Sequence, residues 1–193
     1  MGVIRNNITL KSHKELVEMG YRWLLRRKTR NALPMYATCS IAFKEIVSCN
    51  NEISDAIGFN MFSSVLIECK ASRGDFLSDK NKYIRKNKAL GMGQYRFYLV
   101  NEGVATKEDI KNGWGLLVAK NRCIHIIKDS EKFDYNNLAE KRFLISLLRR
   151  ISSFKLLDIL NDTKMKPLEY EYGIDEVESN KEPLPEPPKK EGI

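Results

Sequence analysis

Between Ser63 and Lys70 the chain reads SSVLIECK, and its centre, Val65-Leu66-Ile67, is an apolar run of the kind that fills a sheet. Glu68 and Lys70 then enter that run one residue apart. Charged side chains are rarely buried unless they are paired or hold a metal. Successive side chains of a strand point to opposite faces, so Leu66, Glu68 and Lys70 share one face and Val65, Ile67 and Cys69 the other. The second face can pack on a helix without a polar interruption. The first carries opposite charges about 6.6 Å apart along the strand. A chain with this strand needs a sheet covered on one side and a place on the other where charges converge.

The segments around it supply such a sheet. SHKELVEMGYRWLLRRK sets Leu16, Met19, Trp23 and Leu24 at helical spacing, with Ser12 as N-cap and Glu15 three residues on. MYATCSIAFKEIVS holds a first strand, NEISDAIGFN a second ending at Gly58, and SSVLIECKAS a third. Asp75 is placed to cap a helix that runs to about Leu90 and stops before Gly91 and Gly93. QYRFYLVN is an alternating aromatic strand, while GWGLLVAKN and CIHIIKD form a hairpin around KNR. NNLAEKRFLISLLRRISSFKLLDIL is a long helix with a Leu/Ile stripe. The expected order is αβββαβββα: an α/β fold with a mixed central sheet flanked by helices.

The 193 residues suit one domain over residues 1–162, followed by an acidic, proline-rich tail over 163–193 with few core-forming residues, expected to be disordered. The tail has five lysines against eight acids; with a net charge of +8 for the whole chain, the domain itself carries +11. That balance suits a polyanionic partner, most often nucleic acid. No apolar stretch is long enough to span a membrane, and the start lacks a signal-peptide core, so a cytoplasmic location is expected. Cys39, Cys49, Cys69 and Cys123 are scattered, with only His13 and His125 to join them, which argues for reduced thiols over a zinc site. His125, between Ile124 and Ile126, reads as structural. A glycine-rich phosphate loop, a GxSxG elbow and a Cys/His pair at suggestive spacing are all missing, so other small-molecule chemistries find little support.

If the strand of Asp55 pairs with that of Glu68, two carboxylates and one ammonium meet at the sheet surface. Carboxylates so close resist ionising together unless a cation stands between them. Hard oxygen donors in that number suit Mg²⁺, with water and a substrate phosphate completing its shell. Lys70 would then orient or activate the attacking water and stabilise charge on the transferring phosphoryl group. Glu-x-Lys occurs once in the chain, at Glu68-Cys69-Lys70, whereas the two Asp-x-Lys triplets lie in polar segments. The plainer alternative for Glu68 and Lys70 is an ion pair on a solvated sheet.

An Asp on one strand followed by Glu-x-Lys on the next resembles the signature of the PD-(D/E)XK nuclease superfamily. The stretch SDAIGF…SSVLIECKASRGDFLSDKNKY…YRFYLVNEG…GWGLLVAKNR is similar to its MmcB-like group, a set of nucleases assigned to DNA repair; the likeness spans about residues 43–150. Ser72, Asp75, Phe76, Asp79 and Lys80 match that group in kind, while Ile53-Ser54 and Asn81 stand where it tends to have Arg-Ala and Trp. The resemblance implies a restriction-endonuclease-like fold and a metal-dependent DNA nuclease working in repair, restriction or mobile-DNA processing. It implies Mg²⁺, with Mn²⁺ as substitute, held by Asp55, Glu68 and the carbonyl of Cys69, with Lys70 as the third catalytic residue. Ser72, Asp75, Asp79 and Glu18 would support the site. Of these, Asp79 would hold Lys70 or Arg73, and Glu15 or Glu18 would be the first-helix acid. Arg73, Lys80, Lys82, Arg85, Lys86 and Lys88, with Arg26 and Arg27 of the first helix, would bind phosphates. A homodimer is compatible with the resemblance. The alternative function is a nucleic-acid-binding module on the same fold with weak or lost catalysis.

Overall fold

A computed structural model describes residues 10–26, 38–47, 53–79 and 89–154. Helix α1 (His13–Leu24) is followed by strands β1 (Ile41–Val47), β2 (Ile53–Phe59) and β3 (Ser64–Lys70), helix α2 (Arg73–Asp79), strand β4 (Tyr95–Asn101), a 3-10 turn at Lys107–Asp109, strands β5 (Gly115–Lys120) and β6 (Cys123–Lys128), and helix α3 (Asn137–Ser153). The strands form one mixed sheet in sequence order. β1–β2, β2–β3 and β5–β6 are antiparallel, whereas β3–β4 and β4–β5 are parallel. The expected element order and the flanked mixed sheet are both present. The charged helix expected to run on past Asp79, the end of the last helix and the acidic tail lie outside the described residues.

Burial explains why β3 sits inside the sheet. All seven of its residues are buried. Val65, Ile67 and Cys69 join Leu16, Val17, Trp23 and Leu24 of α1 in one core layer. Leu66 joins Phe76 of α2, Tyr98 and Val100 of β4, and Phe143 and Leu147 of α3 in the other. Each fully buried Leu, Val or Phe contributes about 1.5–3 kcal/mol relative to exposure. A one-residue slip of β3 would exchange its two faces and bring Glu68 under α1.

The local signals act where expected, with two shifts. Ser12 and Glu15 close a capping box on α1: Ser12 N donates to Glu15 Oε2 at 2.7 Å and Glu15 N to Ser12 Oγ at 3.3 Å. The β5–β6 hairpin turns on Asn121-Arg122, with Asn121 at φ 56°. β2 extends one residue past Gly58. Helix α2 begins earlier than expected because Ser72, not Asp75, caps it: Asp75 N donates to Ser72 Oγ at 3.2 Å. Asp75 therefore lies within the first turn, with its side chain exposed.

At the N-terminal end of β3 a buried carboxylate joins three elements. Glu140 of α3 accepts from Ser64 Oγ and from Gly93 N, each at 2.7 Å. Gly93 has φ 85°, and a Cβ there would stand 2.6 Å from Leu66 Cβ, so no other residue fits. Burial pushes the Glu140 carboxyl above the ordinary glutamate range, with the Ser64 and Gly93 hydrogen bonds and nearby Arg96 pulling it back. A carboxyl raised on folding contributes stability below its unfolded value and loses it as pH rises through its folded value. Glu140→Ala strands two buried donors and is expected to cost about 2–4 kcal/mol in urea unfolding. Glu140→Gln keeps the acceptor and is expected to remove the loss of stability that the parent shows as pH rises above the ordinary glutamate range.

Candidate functional site

The site forms where β2 and β3 part company at the C-terminal end of β3. The β2–β3 ladder ends at Ala56↔Ile67, so Asp55 lies level with Glu68 but no longer in the ladder. Its side chain takes over the hydrogen bonding: Asp55 Oδ2 accepts from Cys69 N at 2.7 Å. That bond fixes the Asp55 carboxylate at the point where Glu68 and Lys70 leave the strand. Asp55, Glu68, Cys69 and Lys70 are thus brought together as the sequence suggested.

Their surroundings differ from the expected solvated surface. The side chains of Lys70 and Glu68 are 6% and 4% exposed, with Lys70 Nζ 3.4 Å from Glu68 Oε2. Asp79, buried at the end of α2, places Oδ1 3.2 Å from Lys70 Nζ. Tyr98 of β4, opposite Glu68 in the parallel register, donates from its hydroxyl to Asp79 Oδ2 at 3.0 Å. The solvated ion pair is therefore excluded, and the ammonium sits in a buried cluster with two carboxylates.

Burial alone would push the Lys70 ammonium below the usual lysine range. Glu68, then Asp79 and Asp55, together with the Asp79 hydrogen bond, overcome that and hold it above. Lys70 is therefore a cation at neutral pH: a fixed positive charge and hydrogen-bond donor that has no lone pair with which to accept a proton. Burial, followed by the Asp55 and Glu68 charges, pushes the Cys69 thiol well up, so it is an inert neutral group and not a nucleophile.

The remaining expected residues divide clearly. Asp79 holds Lys70, one of its two expected partners. Arg73 is engaged elsewhere: its NH1 and NH2 grip the Asp109 carboxylate at 2.6 and 2.7 Å, and NH1 also reaches Val104 O at 3.1 Å. That fork holds the Asp109 carboxyl far below the usual range and makes Arg73 a strut between α2 and the 3-10 turn. Ser72 serves as the α2 cap, and the side chain of Asp75 is exposed. Glu15 is used by the α1 capping box, and Glu18 pairs with Arg22 and Lys44, so neither is the first-helix acid of the site. Arg26 is exposed beyond the end of α1. Arg27, Lys80, Lys82, Arg85, Lys86 and Lys88 lie outside the described residues. His125 is exposed on β6 and lies away from either core layer.

Two residues enter without a sequence signal. His13, at the first position of α1, sets Nε2 3.3 Å from Asp55 Oδ1 with its side chain 45% exposed. It, not a glutamate, is the residue α1 presents to the site. Tyr98 could be found only from the β3–β4 register. Glu45 is a third oddity: it lies level with Asp55 on the other side of β2, in a left-handed conformation with φ 52°. Such a backbone is uncommon for a residue other than glycine.

The donor chemistry of Asp55 and Glu68 suits Mg²⁺, which takes one or two carboxylates and leaves its other positions to water and phosphate. A group of three or more His, Cys, Asp or Glu side chains that could hold a metal ion is not present among the described residues. No helix of the described residues is long and apolar enough to cross a membrane.

No protein-family model and no curated protein matches this sequence. Among solved structures, a protein of unknown function from Silicibacter pomeroyi is similar at 20% identity and a TM-score of 0.44, over 67% of this chain and 84% of that one.

Breaking a buried ion cluster by removing one member leaves an uncompensated charge and costs about 3–5 kcal/mol. Asp79→Ala is expected to destabilise by that order. Asp79→Asn is expected to lower the Lys70 pKa, read by heteronuclear NMR of its side chain. A group raised on folding stabilises below its unfolded value and ceases to do so as pH rises through its folded value. The contribution of Lys70 is therefore complete at neutral pH and is lost only above the ordinary lysine range.

Proposed function

We propose that the chain is a cytoplasmic, metal-dependent nuclease of the restriction-endonuclease-like type that hydrolyses phosphodiester bonds in DNA, in repair, restriction or the processing of mobile DNA. One observation carries this reading: Asp55 is tied to the backbone at Cys69, between Glu68 and Lys70 at the end of β3. Paired carboxylates beside a permanently charged lysine are a poor way to stabilise a sheet, and replacing such a cluster by apolar groups is often neutral or favourable. The same arrangement is useful where a phosphoryl group gains negative charge.

Asp55, Glu68 and the Cys69 carbonyl would hold Mg²⁺, with Mn²⁺ as substitute. Bound there, the ion supplies Lewis-acid polarisation of the phosphate and a lowered pKa for water. The protein's own groups do the rest. Lys70 presents a fixed positive charge and donor hydrogens that orient water and balance charge developing on the non-bridging oxygens. Asp79 and Tyr98 keep that ammonium in place. Hydrolysis adds the elements of water across one P–O bond, so one product bears the phosphate and the other a hydroxyl. Lys70, already protonated, is not the acceptor of the water proton.

The closure of the cluster favours a second reading. Lys70 is enclosed by Glu68 and Asp79, both buried, so its charge is matched within the fold and a nucleic-acid-binding module on the same fold with weak or lost catalysis is the alternative. The two readings differ in a cleavage panel on linear, nicked, branched and single-stranded DNA with Mg²⁺ and Mn²⁺. Asp55→Asn, Glu68→Gln and Lys70→Met are each expected to lower the cleavage rate by at least about 10²-fold. Glu68→Gln, which keeps an acceptor for Lys70, is expected to do so with its melting temperature near that of the parent. Parental rates in all three variants, or binding without cleavage of any substrate, would give the second reading preference.

A further inference from the structure

The cluster of Lys70 faces α2 and α3, but an opening lies on the other face of the sheet. A cavity of about 650 Å³ runs along α1, walled by that helix, by Lys44 and Glu45 of β1 and by the β5–β6 turn. Its charge is uneven. Glu15 is occupied by the capping box, and Glu18 is matched by Arg22 and Lys44. Lys11, Lys14, Arg26 and Arg122 remain on the wall, without an ion pair to any described residue, against Glu45. Cations crowded along one wall repel one another, and an anionic ligand relieves that repulsion.

The shape narrows the ligand. Helix α1 is about 18 Å long at 1.5 Å rise per residue, so the cations form a line and not a focus. A small anion needs one focus; a phosphodiester strand needs a line. Between the charges, Val17, Met19 and Ile124 provide an apolar wall for sugars and bases. Trp23, also on the wall, holds a buried indole N–H with no acceptor among the described residues. Buried donors are seldom left unmet, and an acceptor on a bound strand or an ordered water would meet this one. A duplex is too broad to enter a space of this volume, whereas grooves that track a single strand combine positive charge with apolar contact in this way.

The groove also leads to the site. Lys14 follows His13, which touches Asp55, and Glu45 lies level with Asp55 across the β1–β2 register. We infer that the groove beside α1 binds single-stranded nucleic acid and delivers it to the Asp55 end of β3. The direction of delivery rests on the nuclease reading; the binding stands without it.

The test separates the two. Fluorescence anisotropy with the full chain in EDTA would compare a labelled oligothymidylate of about twelve residues with a blunt duplex of the same length. The oligothymidylate is expected to bind more tightly, with a log–log salt slope of about −0.7 per phosphate contact. The double reversal Lys14→Glu, Arg122→Glu is expected to weaken it by about 10-fold or more. Arg149→Glu, on exposed α3, is expected to change it little. A duplex bound equally well, or a double reversal without effect, would overturn the groove. Loss of cleavage with intact oligothymidylate binding would count against the nuclease alone.

Discussion

A lysine ammonium held inside a sheet is the constraint on which much of this molecule turns. Removing such a charge from water costs several kcal/mol unless partners converge on it. Here the partners come from three elements: Glu68 from β3 itself, Asp79 from α2, and Tyr98 from β4 through Asp79. Each must arrive in register. The position of α2 is set by Ser72 capping and Phe76 packing, which bring Asp79 back over β3. The β4 register sets Tyr98 beside Glu68. A shift in any one of the three would leave a buried charge without compensation.

The two faces of the sheet consequently do different work. On the α2–α3 face the buried charges pair with one another, Lys70 with Glu68 and Asp79. The α1 face has an apolar floor under the helix and an outer wall of cations with little to neutralise them. Asp55 connects the two: it lies level with Glu68 just past the end of the β2–β3 pairing, bonds the Cys69 amide and meets His13 at the tip of α1. On the nuclease reading proposed above, Asp55 would act between the buried Lys70 charge and the basic groove beside α1. The glutamates of α1 point away from that role because the capping box and the Lys44 and Arg22 pairs use them first.

Much of this was legible in the residues. Alternation in VLIECK separated the α1-facing positions from the charged ones, and the core layers follow that division. Asp79, four residues on from Asp75 on the same helix face, was legible as a partner of Lys70 or Arg73, and the structure pairs it with Lys70. The reading of Asp75 as a cap failed because Ser72 offered a hydroxyl three residues earlier, and N-cap preference does not distinguish the two. Arg73 read as a phosphate ligand because its partner, Asp109, is 36 residues away and no local pattern pairs them. His13 and Tyr98 carried no signal at all.

What the sequence by itself determined is therefore local and periodic: which residues form each strand and helix, which face of β3 is apolar, and that Glu68 and Lys70 share the other. Backbone stereochemistry and the hydrophobic effect act over a few residues, so a linear pattern records them. Only the tertiary structure decided that the charged pair is buried, that Asp55 bonds the Cys69 amide, that Arg73 is held by Asp109, and that α1 offers His13 to the site and a basic groove to solvent. Those outcomes depend on strand register and helix docking, where residues far apart in sequence compete for the same partner. Distance in space settles that competition.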